Sequence, residues 1–219
     1  MSHILYVRLL DFACAAFLLA GVLVLWRRDL AAIVRLFALQ GAALAALVAV
    51  LGVHEQDAEV VALAAGIGLL RALVLPWLLR RAMNAGGASR ETEPLVNVAA
   101  SLVVAALLGL LAYAATRPVV ALDPTPATNA VPVALTVVLI GFFVLVTRRR
   151  ALSQVVGFLL VDNGITAVAF LTTSGVPLIV ELGVSLDVLL AVLVLQVLTA
   201  RMRAAFGGTD LDDLRELRD

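Results

Sequence analysis

Three ionisable residues stand where a hydrocarbon environment penalises charge. They are Asp162 in "VVGFLLVDNGITAVAF" (155–170), Asp187 in "ELGVSLDVLLAVLV" (181–194) and Arg71 in "GLLRALVLPW" (68–77). An aspartate at the centre of a membrane helix costs roughly 2.5–3.5 kcal/mol, so each of these groups needs a partner or a task. Burial and a neighbouring guanidinium act on a carboxyl in opposite senses, and a carboxyl balanced between them binds and releases protons near neutral pH. Asp162 and Asp187, bridged by water or by Asn163 and Thr166, would form a relay; Thr166 lies four residues after Asp162, on the same helix face. The competing reading is a structural ion pair that fixes helix register. For Arg71 alone the two readings stand level. Two carboxyls set against one arginine favour proton handling at Asp162 and Asp187. Glu59 and Glu181 fall nearer the ends of apolar runs and suit interfacial or capping roles, while Asp11 suits a contact with a neighbouring helix or subunit.

The elements that must position these groups follow from composition. The chain is 63% hydrophobic over 219 residues, with a mean hydropathy of +1.09. A soluble domain of this size would lack the polar surface to cover such a core. Apolar windows long enough to cross a bilayer fall at about 4–26, 30–53, 59–79, 95–116, 130–147, 152–174 and 179–200. The runs are continuous rather than alternating, which points to helices and not a barrel. The expected fold is therefore an all-α integral membrane protein with seven transmembrane helices, the first an uncleaved span. "NAGGASRETEP" (84–94) and "RPVVALDPTPATN" (117–129) read as exposed loops. Pro94 and Pro132 suit the first turns of the helices that follow. Pro76 reads as a kink, and Trp26 and Trp77 read as interface anchors.

Several function classes are closed. The single cysteine, Cys14, lies in an apolar run, which excludes disulfides and thiolate metal sites. The two histidines, His3 and His54, fall near helix ends, so a bis-histidine haem lacks ligands. All sixteen basic residues are arginine, leaving no lysine amine for a retinal Schiff base. A net charge of zero argues against a nucleic-acid surface.

Arginine also gives an orientation. Arg27 and Arg28, Arg80, Arg81 and Arg90, Arg148 to Arg150, and Arg201 and Arg203 occupy alternate connections and the C-terminal end. The positive-inside rule then places the N-terminus outside and the C-terminus in the cytoplasm, as an odd number of spans requires. A self-comparison at an offset of 122 residues sets "RRDLAAIV" (27–34) on "RRALSQVV" (149–156), Glu59 on Glu181 and Arg81 on Arg203. The expected organisation is two parallel three-helix repeats, 1–83 and 130–203, joined by a linking helix and loops at 84–129 and followed by a cytoplasmic tail, 204–219. In this register Gln40 falls on Asp162 and Ala65 on Asp187, so only the second copy carries mid-membrane acids.

"RALVLPWLLR" (71–80), "RRRALSQVVGFLLVDNG" (148–164), "ELGVSLDVLLAVLV" (181–194) and the tail "GGTDLDDLREL" resemble the hydrogenase-4 component E family. Its members are small membrane subunits of formate-hydrogenlyase-type, group 4 [NiFe]-hydrogenases. The C-terminal half is similar to the K subunit of NADH:quinone oxidoreductase and to the C subunit of multi-subunit cation/proton antiporters. In those proteins two glutamates on adjacent helices lie on a hydrophilic axis that carries protons. Asp162 matches the first position and Asp187 the second, each one methylene shorter. Arg71 matches a basic position in component E, and the first repeat lacks both acids.

The resemblance implies a subunit of a bacterial or archaeal inner membrane with no redox centre of its own. Nickel-iron and iron–sulfur centres would sit in partner subunits, beside antiporter-like membrane partners and a peripheral hydrogenase or redox module. Two hypotheses follow. In one, the proton-relay residues Asp162, Asp187 and Arg71, supported by Asn163, Thr166, Gln40 and Glu181, contribute to proton or cation translocation. In the other, the chain is a scaffold whose carboxyls make ion pairs between subunits. An autonomous transporter is a weaker third, given no ligand motif and no sizeable soluble domain.

Overall fold

Segments that are apolar around their whole circumference form helices because no water is present to satisfy an open backbone. In the computed structural model, which describes residues 1–86, 96–148 and 151–173, every long element is such a helix. The expected seventh span, with Glu181 and Asp187, lies outside the described residues, as does Pro94. The helices are α1 (His3–Trp26), α2 (Leu30–Glu55), α3 (Ala58–Ile67), α4 (Leu75–Gly86), α5 (Val98–Leu122), α6 (Val131–Thr147) and α7 (Ala151–Thr172). A π-helical segment, Gly68–Val74, joins α3 to α4 without a break, so the two form one span. Six apolar spans of membrane-crossing length are thus present among the described residues. Each overlaps one of the first six windows read from the sequence.

Side-chain caps set where the helices begin. Asp29 Oδ1 accepts from Ala31 N at 3.2 Å, and Asp57 Oδ1 accepts from Glu59 N at 2.8 Å and Val60 N at 3.3 Å. Asn97 Oδ1 accepts from Ala100 N at 2.8 Å. Each supplies an acceptor for first-turn donors that have no partner within the helix. Gln56 closes α2 in the left-handed region at φ 59°, allowing the chain to reverse directly into α3.

Two sequence expectations need correction. The segment from 117 does not begin as a loop: α5 continues through Arg117 and Pro118 to Leu122. The residues after Pro118 are Val119, Val120, Ala121 and Leu122, good enough apolar material to extend the helix past a missing N–H. The helix expected to end near 79 runs on as α4 to Gly86, and so takes in the start of the supposed 84–94 loop. Pro76 is preceded by the π-helical segment, whose wider turn accommodates the crowding of its ring against the preceding carbonyls.

Small residues set how closely the helices approach. At Gly41 of α2 a Cβ would lie 2.6 Å from the Arg71 carbonyl oxygen, so α2 backbone touches the π segment there. Between α6 and α7, a Cβ on Gly141 would lie 2.7 Å from Val161 N, and one on Gly164 would lie 2.8 Å from Val138 N. These are backbone-to-backbone seams of the kind that dispersion favours in lipid.

The packed interior has two apolar layers. One gathers Leu10, Phe17, Leu44, Leu47, Ile67 and Phe170; the other gathers Val24, Phe37, Leu75, Ile140, Leu159 and Leu160. On three of the spans polar residues fall between those layers: Gln40 on α2, Arg71 on the π segment, and Asp162 and Asn163 on α7.

Candidate functional site

Arg71 is buried in the middle of the bundle, 1% exposed, although it is among the longest charged side chains available. Its Nη2 lies 3.0 Å from Asp162 Oδ2, and the same nitrogen donates to Thr166 Oγ1 at 3.0 Å. Its Nη1 donates to Asn163 Oδ1 at 2.6 Å. Asn163 Nδ2 in turn donates to Gln40 Oε1 at 3.0 Å. Five side chains from three spans therefore meet in one connected cluster.

The local sequence explains the convergence. Asp162, Asn163 and Thr166 lie within little more than one turn of α7, which presents them together toward the π segment. The π turn carries Arg71 in its middle, where a wider helix displaces the side chain from the ordinary register. Gly41 lets α2 close onto that turn and brings the neighbouring Gln40 to Asn163.

The components divide by what they can do. Arginine donates only and keeps its charge; asparagine, glutamine and threonine are neutral. Asp162 is therefore the member of this five-residue cluster whose charge can change by protonation. It is also the least enclosed, with its side chain 11% exposed against 1% for that of Arg71. When Asp162 is ionised the pair is neutral overall. When it is protonated the guanidinium loses that countercharge, yet Asn163 and Thr166 still hold it. The neutral side chains thus form a cradle in which the carboxyl can gain or lose a proton while Arg71 stays fixed.

Arg71, Asp162, Asn163, Thr166 and Gln40, all singled out from the sequence, are brought together. Asn163 and Thr166, expected to bridge two carboxyls, are directed at Arg71. Asp187 and Glu181 lie outside the described residues. Trp26 and Trp77 are exposed, with the Arg27 guanidinium 5.9 Å from the Trp26 ring centre and that of Arg81 5.6 Å from Trp77. Asp11 is exposed on the outside of α1.

One polar anchor was not legible in the sequence. Arg148 reads there as a loop charge, but it is 4% exposed, and its Nη2 donates to the carbonyls of Val24 and Leu25 at 3.1 Å and of Arg27 at 3.2 Å. It caps the C-terminal end of α1 from the α6–α7 connection, satisfying carbonyls that the helix leaves open. Nothing in the run Arg148 to Arg150 distinguishes its first member from the other two.

No family model matches the chain, and no solved structure matches it. The uncharacterized protein Rv0085 of Mycobacterium tuberculosis is 57% identical over 220 residues, covering 100% of both chains. Hydrogenase-4 component E of Escherichia coli K12 is 28% identical over 150 residues, 68% of this chain and 69% of that protein. The Shigella flexneri component E matches to the same extent. The chain belongs to the family of the mycobacterial protein Rv0085 and is a distant homologue of hydrogenase-4 component E.

Proposed function

We propose that the chain is a membrane-arm subunit of a multi-subunit hydrogenase-like or complex-I-like assembly, in which Asp162 takes up and releases protons coupled to electron transfer in other subunits. The observation that carries this reading is the Arg71–Asp162 pair, 3.0 Å apart in the middle of the bundle and held by three neutral side chains. A carboxyl with one permanent countercharge and a fixed cradle has two defined protonation states, which a relay requires. Distant homology to a hydrogenase-4 membrane component supports the setting. In this reading Asp187, on a seventh span, is the second carboxyl. The chain carries two parallel three-helix repeats around a linking helix, with its N-terminus outside and its C-terminus in the cytoplasm of a bacterial or archaeal cell. Nickel-iron and iron–sulfur centres belong to partner subunits.

The scaffold reading draws support from the same ion pair. A direct contact at 3.0 Å, flanked by glycine seams, is also what a register-fixing device looks like. The two readings share the assembly and differ in the task of the carboxyl. Native mass spectrometry of gently solubilised membranes tests the shared part: large antiporter-like subunits and a peripheral hydrogenase or redox protein should co-purify with the chain. A chain that leaves the membrane alone, at full yield, would contradict both.

A further inference from the structure

Of the six described spans, α5 is the least buried. Beside it runs a groove of about 410 Å³, formed between α1, α5 and α6. Leu18 and Val22 of α1 line it, together with Leu102, Ala106, Gly109 and Tyr113 of α5. Among its lining residues only Tyr113 and Thr136 carry a polar side chain. Thr136 Oγ1 donates to the Pro132 carbonyl of its own helix at 2.6 Å, so a polar solute finds little to bind. An apolar groove left empty in lipid forfeits dispersion contacts along its walls.

Shape narrows the choice of occupant. From Leu102 to Tyr113 the groove follows α5 for about 16 Å, at 1.5 Å per residue. Half of a hydrocarbon core measures about 15 Å. Spread over that length, the volume gives a section of about 25 Å². A helix 10–12 Å across needs a section of about 80 Å² or more, whereas one hydrocarbon chain, with carbons packed about 4 Å apart, needs roughly 16–20 Å². One end is also charged. Leu102 lies one turn inside the Val98 end of α5, and Val22 one turn before the Trp26 end of α1. Leu18, Val22 and Trp26 recur every four residues on one face of α1. Trp26 is exposed, the Arg27 guanidinium lies 5.9 Å from its ring centre, and Arg28 beside it is exposed too. Asp29, the acid of this connection, caps α2 and has Arg35 at 3.9 Å.

We propose that the groove between α1, α5 and α6 holds one acyl chain of an anionic phospholipid, whose phosphate faces Arg27 and Arg28 at the Trp26 end of α1. The chain fills the depth of a single leaflet, and the indole of Trp26 sits at the level where tail gives way to headgroup. The two arginines select an anionic headgroup over a zwitterionic one. Nothing here requires that Asp162 carry protons, so this site and the proposed function stand or fall separately.

The test uses the protein purified from its own membrane, in whatever assembly it forms, and placed in nanodiscs of equal phosphatidylglycerol and phosphatidylcholine. Native mass spectrometry then counts the lipids retained. Phosphatidylglycerol should be kept over phosphatidylcholine by about tenfold or more, and Arg27→Gln with Arg28→Gln should abolish that preference. Gly109→Leu fills the groove; a Cβ there makes only ordinary contact with Thr136, at 3.6 Å, so the backbone need not shift. It should lower retention about tenfold, the worth of roughly two buried methylenes. Leu110→Phe, on the exposed side of the same helix, should leave retention unchanged. Equal retention of the two lipids, or retention indifferent to Gly109→Leu, would overturn the proposal. If Gly109→Leu does not assemble, a density map of the wild type with acyl-brominated phosphatidylglycerol decides. Bromine density between Leu18 and Gly109 is expected; its absence, or a protein segment in the groove, would overturn the site.

Discussion

A guanidinium is tolerated in the interior of a membrane bundle only while its charge and donors are engaged. For Arg71, Asp162 supplies countercharge, and Asn163 and Thr166 supply neutral acceptors. Removing one side of such a pair strands the other, whereas replacing both with apolar groups strands neither. Asp162→Leu is accordingly expected to destabilise by about 3–5 kcal/mol. Adding Arg71→Leu to it should recover most of that loss. Thermal midpoints of the two single variants and the double variant check the coupling, and strict additivity would show that the side chains do not depend on each other. The types of these residues could be read directly, because charge in an apolar run stands out. Their connectivity could not. Which face of each helix meets its neighbour is set by packing, so neither the bond from Asn163 to Gln40 nor the reach of Arg148 had any local signal.

At the scale of elements, the spans were legible because a membrane helix needs little more than length and apolarity. Their ends and distortions were less so. The continuation of α5 past Pro118 depends on four apolar residues beyond a breaker, and the π segment shows itself in the sequence only through Pro76. Its position is nonetheless fixed by Gly41, which lets α2 lie against the Arg71 backbone. Gly41→Val should force the two apart and cost about 1–3 kcal/mol or more, measured as a lower thermal midpoint and a reduced assembled fraction. Gly66→Ala is the matched control. Its Cβ would meet nothing within 4 Å, so it should be neutral or stabilising by up to about 1 kcal/mol. Arg148→Ala removes a charged donor shared by the carbonyls at the end of α1. A loss of about 1.5–3 kcal/mol is expected. Arg148→Lys should restore little of it, since a point-charge ammonium lacks the guanidinium's planar fork. Full recovery by lysine would contradict the capping role.

For the whole molecule, the arrangement is a polar layer held between two apolar ones, and each layer has a separate consequence. The apolar layers give the bundle its stability and keep water from reaching Arg71 along the helix axes. The polar layer confines the exchangeable charge of the cluster to Asp162, at its most accessible edge. Asp162→Asn keeps the size of the side chain and an acceptor for Arg71 while removing that charge, so it separates a proton-handling site from a register-fixing one. The decisive measurement is the ratio of protons moved to electrons transferred, in sealed membrane vesicles, per assembled complex carrying Asp162→Asn. Proton handling predicts that electron transfer continues while the ratio falls well below that of the wild type. An unchanged ratio in fully assembled complexes would contradict it and leave the Arg71–Asp162 pair as a structural device.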